Sequence, residues 1–307
     1  MKKNGEITLV TSFFDIGRKK YGDYARSNKK YLDDFKFWAR MKNNLVVYTD
    51  KEMAKEVKKI RKEFDLEEKT KVIIIEDITK LEPKIFNRMQ EVEKSDYFLS
   101  FRYNENLPEN KALYNYIMLM KSWCLADAIK QGIDTDFVAW LDFGYNHGGD
   151  VFINPEEFSF TWKYNFPKDK ITYFNREKIT DKPIFYLVQS MDVNIMGAPF
   201  IVPSKLAEKH YSLIKNAMIE LLDLGLMDDD QLLMIMASRK EPSLFDVKQS
   251  DWFLPIKDYG NKNLTTKELQ VAKKSKKDEF LDKLRVKKRN YLYLKRFMKK
   301  FKKNNLE

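Results

Sequence analysis

A short segment near the middle of the chain, residues 138–150 (VAWLDFGYNHGGD), joins an apolar run to side chains that can do chemistry. It contains Asp142, Gly144 and His147, and it holds one of the two histidines and three of the ten glycines in the 307 residues. A carboxylate and an imidazole five residues apart are candidate ligands for a divalent cation. The alternatives are an acid that caps a neighbouring helix and a loop histidine without a special role.

The tripeptide DFG also binds metal in protein kinases, but the motifs that accompany it there are missing from this sequence. A glycine-rich phosphate loop, a VAIK-like strand and an HRD sequence are all absent. The sequence also lacks GxxxxGKS/T, a GxGxxG after the first apolar run, and GxSxG. These absences argue against kinases, P-loop enzymes, dinucleotide folds and serine hydrolases, and the single cysteine argues against a zinc cluster.

A second acidic cluster, Asp228, Asp229 and Asp230 followed by Gln231, precedes a strongly apolar run. The positive end of a helix dipole stabilises one or two acids at a helix N-terminus. A third acid that faces a site would act as a general base on a hydroxyl, or would hold the molecule that carries the hydroxyl. The alternative is that all three are ordinary acids of a helix N-terminus.

The first half of the chain alternates short apolar runs with helical periodicity, which predicts a mostly parallel sheet with helices on both faces. The predicted strands are residues 7–14, 44–49, 71–76 and 136–142, and the predicted helices are residues 28–42, 52–64, 79–95 and 111–131. Ligands of such sheets bind at the carboxyl ends of the strands. Each of the four strands ends in an Asp or reaches one within two residues, which places Asp142 in the predicted site.

The second half of the chain predicts the remainder of the sheet and two further helices. Residues 170–174, 183–188 and 193–203 are interpreted as strands of a mixed or antiparallel part of the sheet. A helix is predicted over residues 204–225, with Ser204 as its N-cap and Gly225 as its C-cap, and another over residues 226–240. The predicted fold class is therefore α/β with a mixed sheet.

Composition and charge divide the chain into two parts. The sequence is 43% hydrophobic and 14% aromatic, as in a globular protein, and its 10 Gly and 9 Pro leave little room for long linkers. Residues 264–307 hold sixteen Lys and Arg against five Asp and Glu, so this segment carries the whole net charge of +11. We therefore predict one domain over residues 1–260 and a basic tail over residues 264–307.

The cysteine content and the apolar runs predict a cytoplasmic protein. Cys124 lies in a helical pattern and is interpreted as a small buried apolar residue in a reducing compartment. The N-terminus shows no h-region or cleavage site, and no run of 18 apolar residues occurs. We expect neither a signal peptide nor a membrane-spanning helix.

The basic tail has a helical stripe of apolar residues flanked by lysines. The stripe consists of Phe280, Leu284, Tyr291, Leu294, Met298 and Phe301. A basic amphipathic helix of this kind suits an anionic membrane surface. The alternatives are a solvated helix that packs on the body and a nucleic-acid site, and no nucleic-acid partner is expected because the aromatic residues fall on one face.

Five ordered blocks of the sequence resemble the HtrL/YibB (WlaTC/HtrL-type) family of bacterial glycosyltransferases. The blocks are ITLVTSFFDIGR, WARMKNNLVVYTD, NYIMLMKSWCLADA, WLDFGYNHGG and LLDLGLMDDDQLLMIMASRKEPSLFDV, and they span roughly residues 6–255. The resemblance implies a GT-A-like, Rossmann-like fold. It also implies transfer of a sugar from a nucleoside diphosphate, with UDP expected, to a lipid-linked glycan in the synthesis of lipopolysaccharide, lipooligosaccharide or another cell-surface glycan. The basic tail would hold such an enzyme at the inner face of the cytoplasmic membrane. The alternative is a catalytically silent sugar-nucleotide-binding or scaffold protein of the same pathway.

The resemblance also implies a donor site at the carboxyl ends of the strands. Its residues are Thr11, Phe13, Asp15, Arg18, Asp50, Lys121, Trp140, Asp142 and Gly144. The residues that follow the first strand would hold the nucleobase and the ribose. Arg18 would alternatively contact a phosphate, and Lys121 would contact the diphosphate. GT-A enzymes often carry Asp-x-Asp where this chain has Asp142 and Gly144, so His147 would complete a site with Asp142 for Mn²⁺ or Mg²⁺.

The acceptor side of the implied site comes from the second acidic cluster. Asp230 is the expected catalytic base of an inverting reaction, and Asp229 is the second choice. Gln231 and Gly197 are expected to bind the acceptor.

Overall fold

The computed structural model describes residues 5–21, 25–102, 107–176, 178–191 and 195–267, together with Lys287, Tyr291, Leu294, Lys295 and Met298 of the tail. The strands are β1 (Ile7–Phe13), β2 (Leu45–Thr49), β3 (Thr70–Ile74), β4 (Phe137–Trp140), β5 (Ile171–Asn175), β6 (Phe200–Pro203) and β7 (Phe245–Gln249). The helices are α1 (Asn28–Trp38), α2 (Lys51–Lys62), α3 (Pro83–Glu93), α4 (Asp96–Phe101), α5 (Ala112–Lys130), α6 (Ile184–Ser190), α7 (Ala207–Asp223), α8 (Asp230–Lys240) and α9 (Pro255–Asp258).

The seven strands form one sheet in the order β3-β2-β1-β4-β6-β5-β7. Strand β6 pairs antiparallel with β4 and β5, and the pairs β2–β3, β1–β2, β1–β4 and β5–β7 are parallel. The predicted α/β class with a mixed, mostly parallel sheet is confirmed. The carboxyl ends of β1 and β4, which are neighbours, therefore meet at one edge of the sheet.

Alternate residues of the strands enter two separate hydrophobic cores. Val10 of β1 lies in one core with Met120 of α5 and Leu233 of α8. Its neighbour Leu9 lies in the other core with Phe35 of α1. This alternation is the period of two that a strand imposes on its side chains, and it confirms that helices cover both faces of the sheet.

One predicted strand is wrong, and another is much shorter than predicted. Residues 183–188 form most of helix α6, which starts after Pro183; its Leu187 and Val188 are buried while Phe185 is exposed. A short apolar run does not by itself distinguish a strand from a half-buried helix. In the run 193–203 only β6 is a strand among the described residues, and residues 195–199 form the loop that leads into it.

The two caps predicted for the helix over residues 204–225 have different outcomes. Ser204 is not the N-cap, because it lies in a 3-10 turn ahead of α7 and its Oγ donates to the carbonyl of Thr135 at 2.6 Å. Gly225 follows the end of α7 with a left-handed φ of 71°. Its N–H donates to Leu222 O and the N–H of Leu226 donates to Leu221 O, which closes the helix as predicted.

The first residues assigned to the basic tail pack on the body of the protein. Leu264 is buried in the same core as Leu9. The N–H of Lys267 donates to the carbonyl of Val151 at 2.8 Å, and Phe152 forms a β-bridge with Thr266. Within the described part of the chain, no helix has both the length and the apolar character needed to cross a bilayer.

Candidate active site

A cavity of about 630 Å³ opens at the carboxyl ends of β1 and β4. It is bounded by α5 and by the first turn of α8. Most residues predicted for the site line it: Phe13, Asp15, Arg18, Lys121, Trp140, Asp142, Gly144, His147, Gly197, Asp230 and Gln231. A sheet of this topology places its ligand site at this edge, so the cavity is the candidate active site.

Lys121 lies at the centre of the charged wall. Its Nζ is 3.0 Å from Asp142 Oδ1 and 2.8 Å from Asp230 Oδ2, and it donates to the carbonyl of Gly197 at 3.2 Å. The side chain of Lys121 is 5% exposed and that of Asp230 is 6% exposed, whereas that of Asp142 is 45% exposed. The structure thus joins three residues from distant parts of the sequence, and Asp142 forms the face of the cluster that is open to the cavity.

Trp140 fixes the position of Asp142. It is the last residue of β4, and its indole Nε1 donates to Asp142 Oδ1 at 2.7 Å. The Nζ of Lys121 lies 5.9 Å from the centre of the same indole ring. The indole therefore holds both the carboxylate and the ammonium, through a hydrogen bond and a cation–π contact.

The three adjacent acids at the start of α8 have three different partners. Asp228 forms a buried ion pair with Arg102, with 2.7 Å between its Oδ2 and Nη1. Asp229 is the N-cap of α8 and its Oδ1 accepts the N–H of Gln231 at 3.1 Å. Asp230 pairs with Lys121 and lines the cavity. Separate partners explain how the fold accommodates three carboxylates in sequence.

Burial and neighbouring charges shift the pKa values of these groups. Burial alone would lower the pKa of the Lys121 ammonium, but Asp142 and Asp230 outweigh it and raise that pKa. Burial raises the pKa of the Asp230 carboxyl, and the opposing charge of Lys121 does not reverse the shift. Burial and the charges of Asp230 and Asp228 raise the pKa of Asp229 well above its ordinary value.

Two glycines make room for the acidic groups. A Cβ at Gly197 would lie 2.6 Å from Asp230 Oδ2, so a side chain there would displace the carboxylate. A Cβ at Gly144 would lie 3.2 Å from the ring of Tyr31 and 3.6 Å from Asp34 Oδ2. The position where many GT-A enzymes have a second acid is thus packed against a ring and a buried carboxylate, which accounts for its glycine.

His147 enters the cavity on a tight turn. The backbone φ is 60° at Asn146 and 43° at His147, and both are left-handed values uncommon for residues with a side chain. Lys30 Nζ donates to the carbonyl of His147 at 2.7 Å, and the imidazole Nδ1 lies 2.9 Å from Asp150 Oδ2. The α1 helix, which carries Lys30, thus fixes the turn.

Asp142 and His147 do not by themselves make a complete set of ligands for a divalent cation. Asp142 Oδ1 already accepts hydrogen bonds from Trp140 and Lys121, and His147 Nδ1 is engaged with Asp150. In the described part of the chain, no group of three or more His, Cys, Asp or Glu is placed to hold a metal ion. The metal site of Asp142 and His147 stays a prediction, and no chemical step below depends on it.

Three predicted site residues lie outside the cavity lining. Thr11 is buried in β1 and its Oγ1 has no hydrogen-bond partner among the described residues. Asp50 is the N-cap of α2, where its Oδ1 accepts the N–H of Met53 at 2.8 Å. Asp229 has the equivalent role in α8. For Asp229 this is the alternative of an ordinary acid at a helix N-terminus, and Asp50 has the same capping role in α2.

Several residues that line the cavity were missed by the sequence analysis. They are mainly aromatic and basic: Arg26, Tyr31, Tyr114, Trp252 and Phe253. The last two follow β7, a strand that was not predicted. Because β7 is not an apolar run, no hydrophobic pattern in the sequence marks the carboxyl end of the strand that these two residues follow.

The fold and the cavity define an α/β protein with a mixed sheet and a charged candidate ligand site at the carboxyl edge of its strands. The family described as "Bacterial protein of unknown function (HtrL_YibB)" matches residues 5–259, and the chain belongs to this family. Protein HtrL of Escherichia coli (strain K12) is 26% identical over 267 residues, which is 80% of this chain and 90% of that protein.

Three solved glycosyltransferase structures are similar in part. The apo form of mouse xyloside xylosyltransferase 1 has a TM-score of 0.42 and 15% identity, covering 79% of this chain and 85% of its own. A glycosyltransferase involved in glycosylation of the major capsid of PBCV-1 has a TM-score of 0.37 and 12% identity, covering 90% and 98%. PaToxG glycosyltransferase has a TM-score of 0.34 and 10% identity, covering 78% and 70%. Likeness at this level leaves the activity to be argued from the site itself.

Proposed function

We propose that the protein is a glycosyltransferase that takes a sugar from a nucleoside diphosphate, with UDP as the expected nucleotide. The observation that carries this proposal is the position of Lys121 between Asp142 and Asp230 on the wall of the cavity. Cavities of this size, about 300–1,000 Å³, hold small ligands. Carboxylates and aromatic rings are suited to sugar hydroxyls and ring faces, and guanidinium groups to phosphates.

The proposed transfer breaks the bond between the anomeric carbon and a diphosphate oxygen, and the bonding electrons leave with the diphosphate. An acceptor hydroxyl oxygen forms the new bond to that carbon and loses its proton. If the reaction inverts the anomeric centre, Asp230 takes that proton, because its raised pKa makes it a better base than free aspartate. If the reaction retains the configuration, no base is needed at this position.

Gln231 is the proposed contact to the acceptor hydroxyl. It lines the cavity beside Asp230, and its buried Oε1 has no hydrogen-bond partner among the described residues. A buried amide oxygen without a partner is costly, so a hydroxyl that donates to it would be bound favourably. Gly197 supports the same place by leaving room for the Asp230 carboxylate.

The proposed acceptor is a lipid-linked glycan, for which the basic tail would hold the enzyme at the inner face of the membrane. Tyr291, Leu294 and Met298 are helical and exposed, at spacings of three and four residues. Phe280, Leu284 and Phe301, the other members of the predicted stripe, lie outside the described residues. Exposed apolar side chains among many lysines support attachment to anionic lipid, at about 1 kcal/mol for each basic residue near the surface.

A thermal-shift and product-release experiment tests the proposed activity. UDP-, GDP- and CMP-sugars are screened for stabilisation, and the release of nucleotide by slow hydrolysis is then measured. Stabilisation with release supports the transferase. Stabilisation without release of nucleotide, with or without Mn²⁺, supports the alternative of a catalytically silent binding protein. The single acid in the Asp142–Gly144 segment would be consistent with such a protein. No response to any sugar nucleotide contradicts both.

Deletion of residues 268–307 tests the membrane proposal, because it spares the packed residues 264–267. The full chain is expected to cosediment with anionic vesicles and the deletion variant to stay in solution. Neutral vesicles are the control. Equal binding by both chains would remove the tail from the proposal, and steeply salt-dependent binding of the tail to DNA would favour a nucleic-acid role instead.

A further inference from the structure

Lys121 has no donor left for a diphosphate. An ammonium group has three N–H donors. In this structure Asp142, Asp230 and the carbonyl of Gly197 accept from it at 3.0, 2.8 and 3.2 Å. The two carboxylates also exceed its single positive charge. A leaving diphosphate, which is strongly anionic, must therefore find its donors elsewhere in the cavity.

Among the described residues, two other cations line the cavity, and both are arginines. Arg18 and Arg26 are brought together by a backbone hydrogen bond from the N–H of Arg26 to the carbonyl of Arg18, at 3.3 Å. Among the residues that the structure describes, neither guanidinium forms an ion pair with a carboxylate. Three carboxylates that line the cavity do have such a partner, because a cationic or imidazole side chain contacts each of Asp142, Asp150 and Asp230.

Aromatic rings support both guanidinium groups. The central carbon of the Arg18 guanidinium lies 5.3 Å from the ring centres of Tyr21 and Tyr114, and that of Arg26 lies 6.0 Å from the ring centre of Tyr31. A cation–π contact involves the face of the guanidinium and leaves its in-plane N–H donors for a ligand. The buried Nε of Arg18 has no hydrogen-bond partner in the described chain.

We propose that Arg18 and Arg26 together bind the diphosphate of the donor, and that the Lys121 cluster faces the sugar and the acceptor. The proposal rests on the proposed transferase function and deepens it by dividing the cavity into an anion end and a sugar end. Paired guanidinium groups match the geometry of phosphate oxygens and form two parallel charge-assisted hydrogen bonds each. They also stabilise the charge that develops on the leaving group.

The test measures binding of inorganic pyrophosphate, UDP and uridine by calorimetry in a buffer with EDTA. The variants are Arg18→Gln, Arg26→Gln and the double variant, with Lys20→Gln and Lys29→Gln as controls that remove exposed charges from the same region. Each arginine change is expected to weaken pyrophosphate and UDP about tenfold to a hundredfold, the range for hydrogen bonds to charged groups. Uridine affinity should not change, and Arg18→Lys should restore only part of the loss because lysine lacks the planar fork.

The outcomes separate this proposal from the proposed function. If the arginine variants bind pyrophosphate and UDP as the wild type does, the anion end lies elsewhere, and release of UDP from UDP-sugars can still establish the transferase. Binding of pyrophosphate only when Mn²⁺ is added would overturn the arginine site in favour of a metal complex. A wild type that binds neither pyrophosphate nor UDP, GDP or CDP would overturn both. Equal loss of uridine binding would show that the variants have damaged the cavity, which overturns a specific phosphate role.

Discussion

Two ion-pair groups start from acids only two residues apart, yet only one opens to the cavity. Asp228 pairs with Arg102, whose side chain is 0% exposed and also donates to Asn110 Oδ1 and to the carbonyl of Val188. Asp230 pairs with Lys121, and there Asp142 is 45% exposed on the cavity side. We call the first the closed pair and the second the open cluster. Both groups pair carboxylates with a cation, so the exposure of Asp142 to the cavity, and not the type of charge, distinguishes the open cluster from the closed pair.

Breaking the closed pair is expected to have the largest effect on stability. Asp228→Ala leaves the Arg102 guanidinium buried without its carboxylate, which costs about 3–5 kcal/mol in comparable buried pairs. Urea unfolding measures the loss, and the exposed Asp223→Ala is the matched control, expected within about 0.5 kcal/mol of the wild type. A change below about 1 kcal/mol for Asp228→Ala would show that water reaches Arg102, and the distinction between the two groups would fail.

Changing the open cluster is expected to cost activity more than stability. Asp142→Asn keeps the shape of a half-exposed side chain, so the free energy of unfolding should change by less than about 1 kcal/mol. Nucleotide release should fall about a hundredfold, the scale for loss of one electrostatic contact in an active site. Unchanged release by both Asp142→Asn and Asp230→Asn would place the chemistry outside this cluster.

An acid introduced at Gly144 is expected to destabilise the fold and not to strengthen the open cluster. The φ of Gly144 is −90°, which other residues adopt, so the cost arises from contact with Tyr31 and from the nearby Asp34 carboxylate. Gly144→Asp should lower the free energy of unfolding by about 1–3 kcal/mol, the usual range for overpacking. Gly144→Ala, without the charge, is the control. If Gly144→Asp binds Mn²⁺ tightly and remains as stable as the wild type, the packing argument is wrong.

At pH 4 the smallest predicted effect concerns Asp229, which lies between the two groups, and this effect grows as the pH rises. Because its folded-state pKa is raised, its contribution to stability is complete below the unfolded pKa of 3.8 and is lost as pH rises through the folded value. Asp229→Asn keeps a good N-cap but removes the charge. The stability of this variant relative to the wild type should increase with pH above 3.8, by up to about 1.4 kcal/mol per pH unit. Urea unfolding between pH 4 and 8 measures the difference, and a flat difference would contradict the assigned shift.

The family resemblance implied the members of the open cluster, and two of them also break an apolar pattern. Lys121 is a lysine in an otherwise apolar helical run, and Asp142 follows a buried strand, so each needs a polar partner. Capping patterns alone do not show which acid of 228–230 faces the cavity, and Asp230 was the first choice through the family resemblance. The direction of each side chain changes by about 100° per residue at the start of a helix, and a shift of one residue in that start would exchange their roles.

The parallel half of the sheet was easier to predict than the other half for a physical reason. Strands β1, β2 and β4 are buried on both faces and appear as continuous apolar runs. Strand β7 lies at the sheet edge and contains the half-buried Asp246 and Lys248, so its run is not apolar. Trp252 and Phe253, which follow it into the cavity, were missed for the same reason. Arg26 and Tyr31 were missed because a contact between a guanidinium before a helix and a ring on that helix has no fixed spacing in sequence.

Residues 264–267 attach the first part of the tail to the body. They are joined by hydrogen bonds to the loop that begins at Val151, the residue after Asp150 on the cavity rim. A force applied to the tail would therefore be transmitted to the cavity rim through a few residues and not across the sheet. In the proposed attachment to a membrane, the point where residues 264–267 join the body lies beside the cavity rim, and a flexible Gly-Ser insert after Lys267 would lengthen the connection while keeping the attachment.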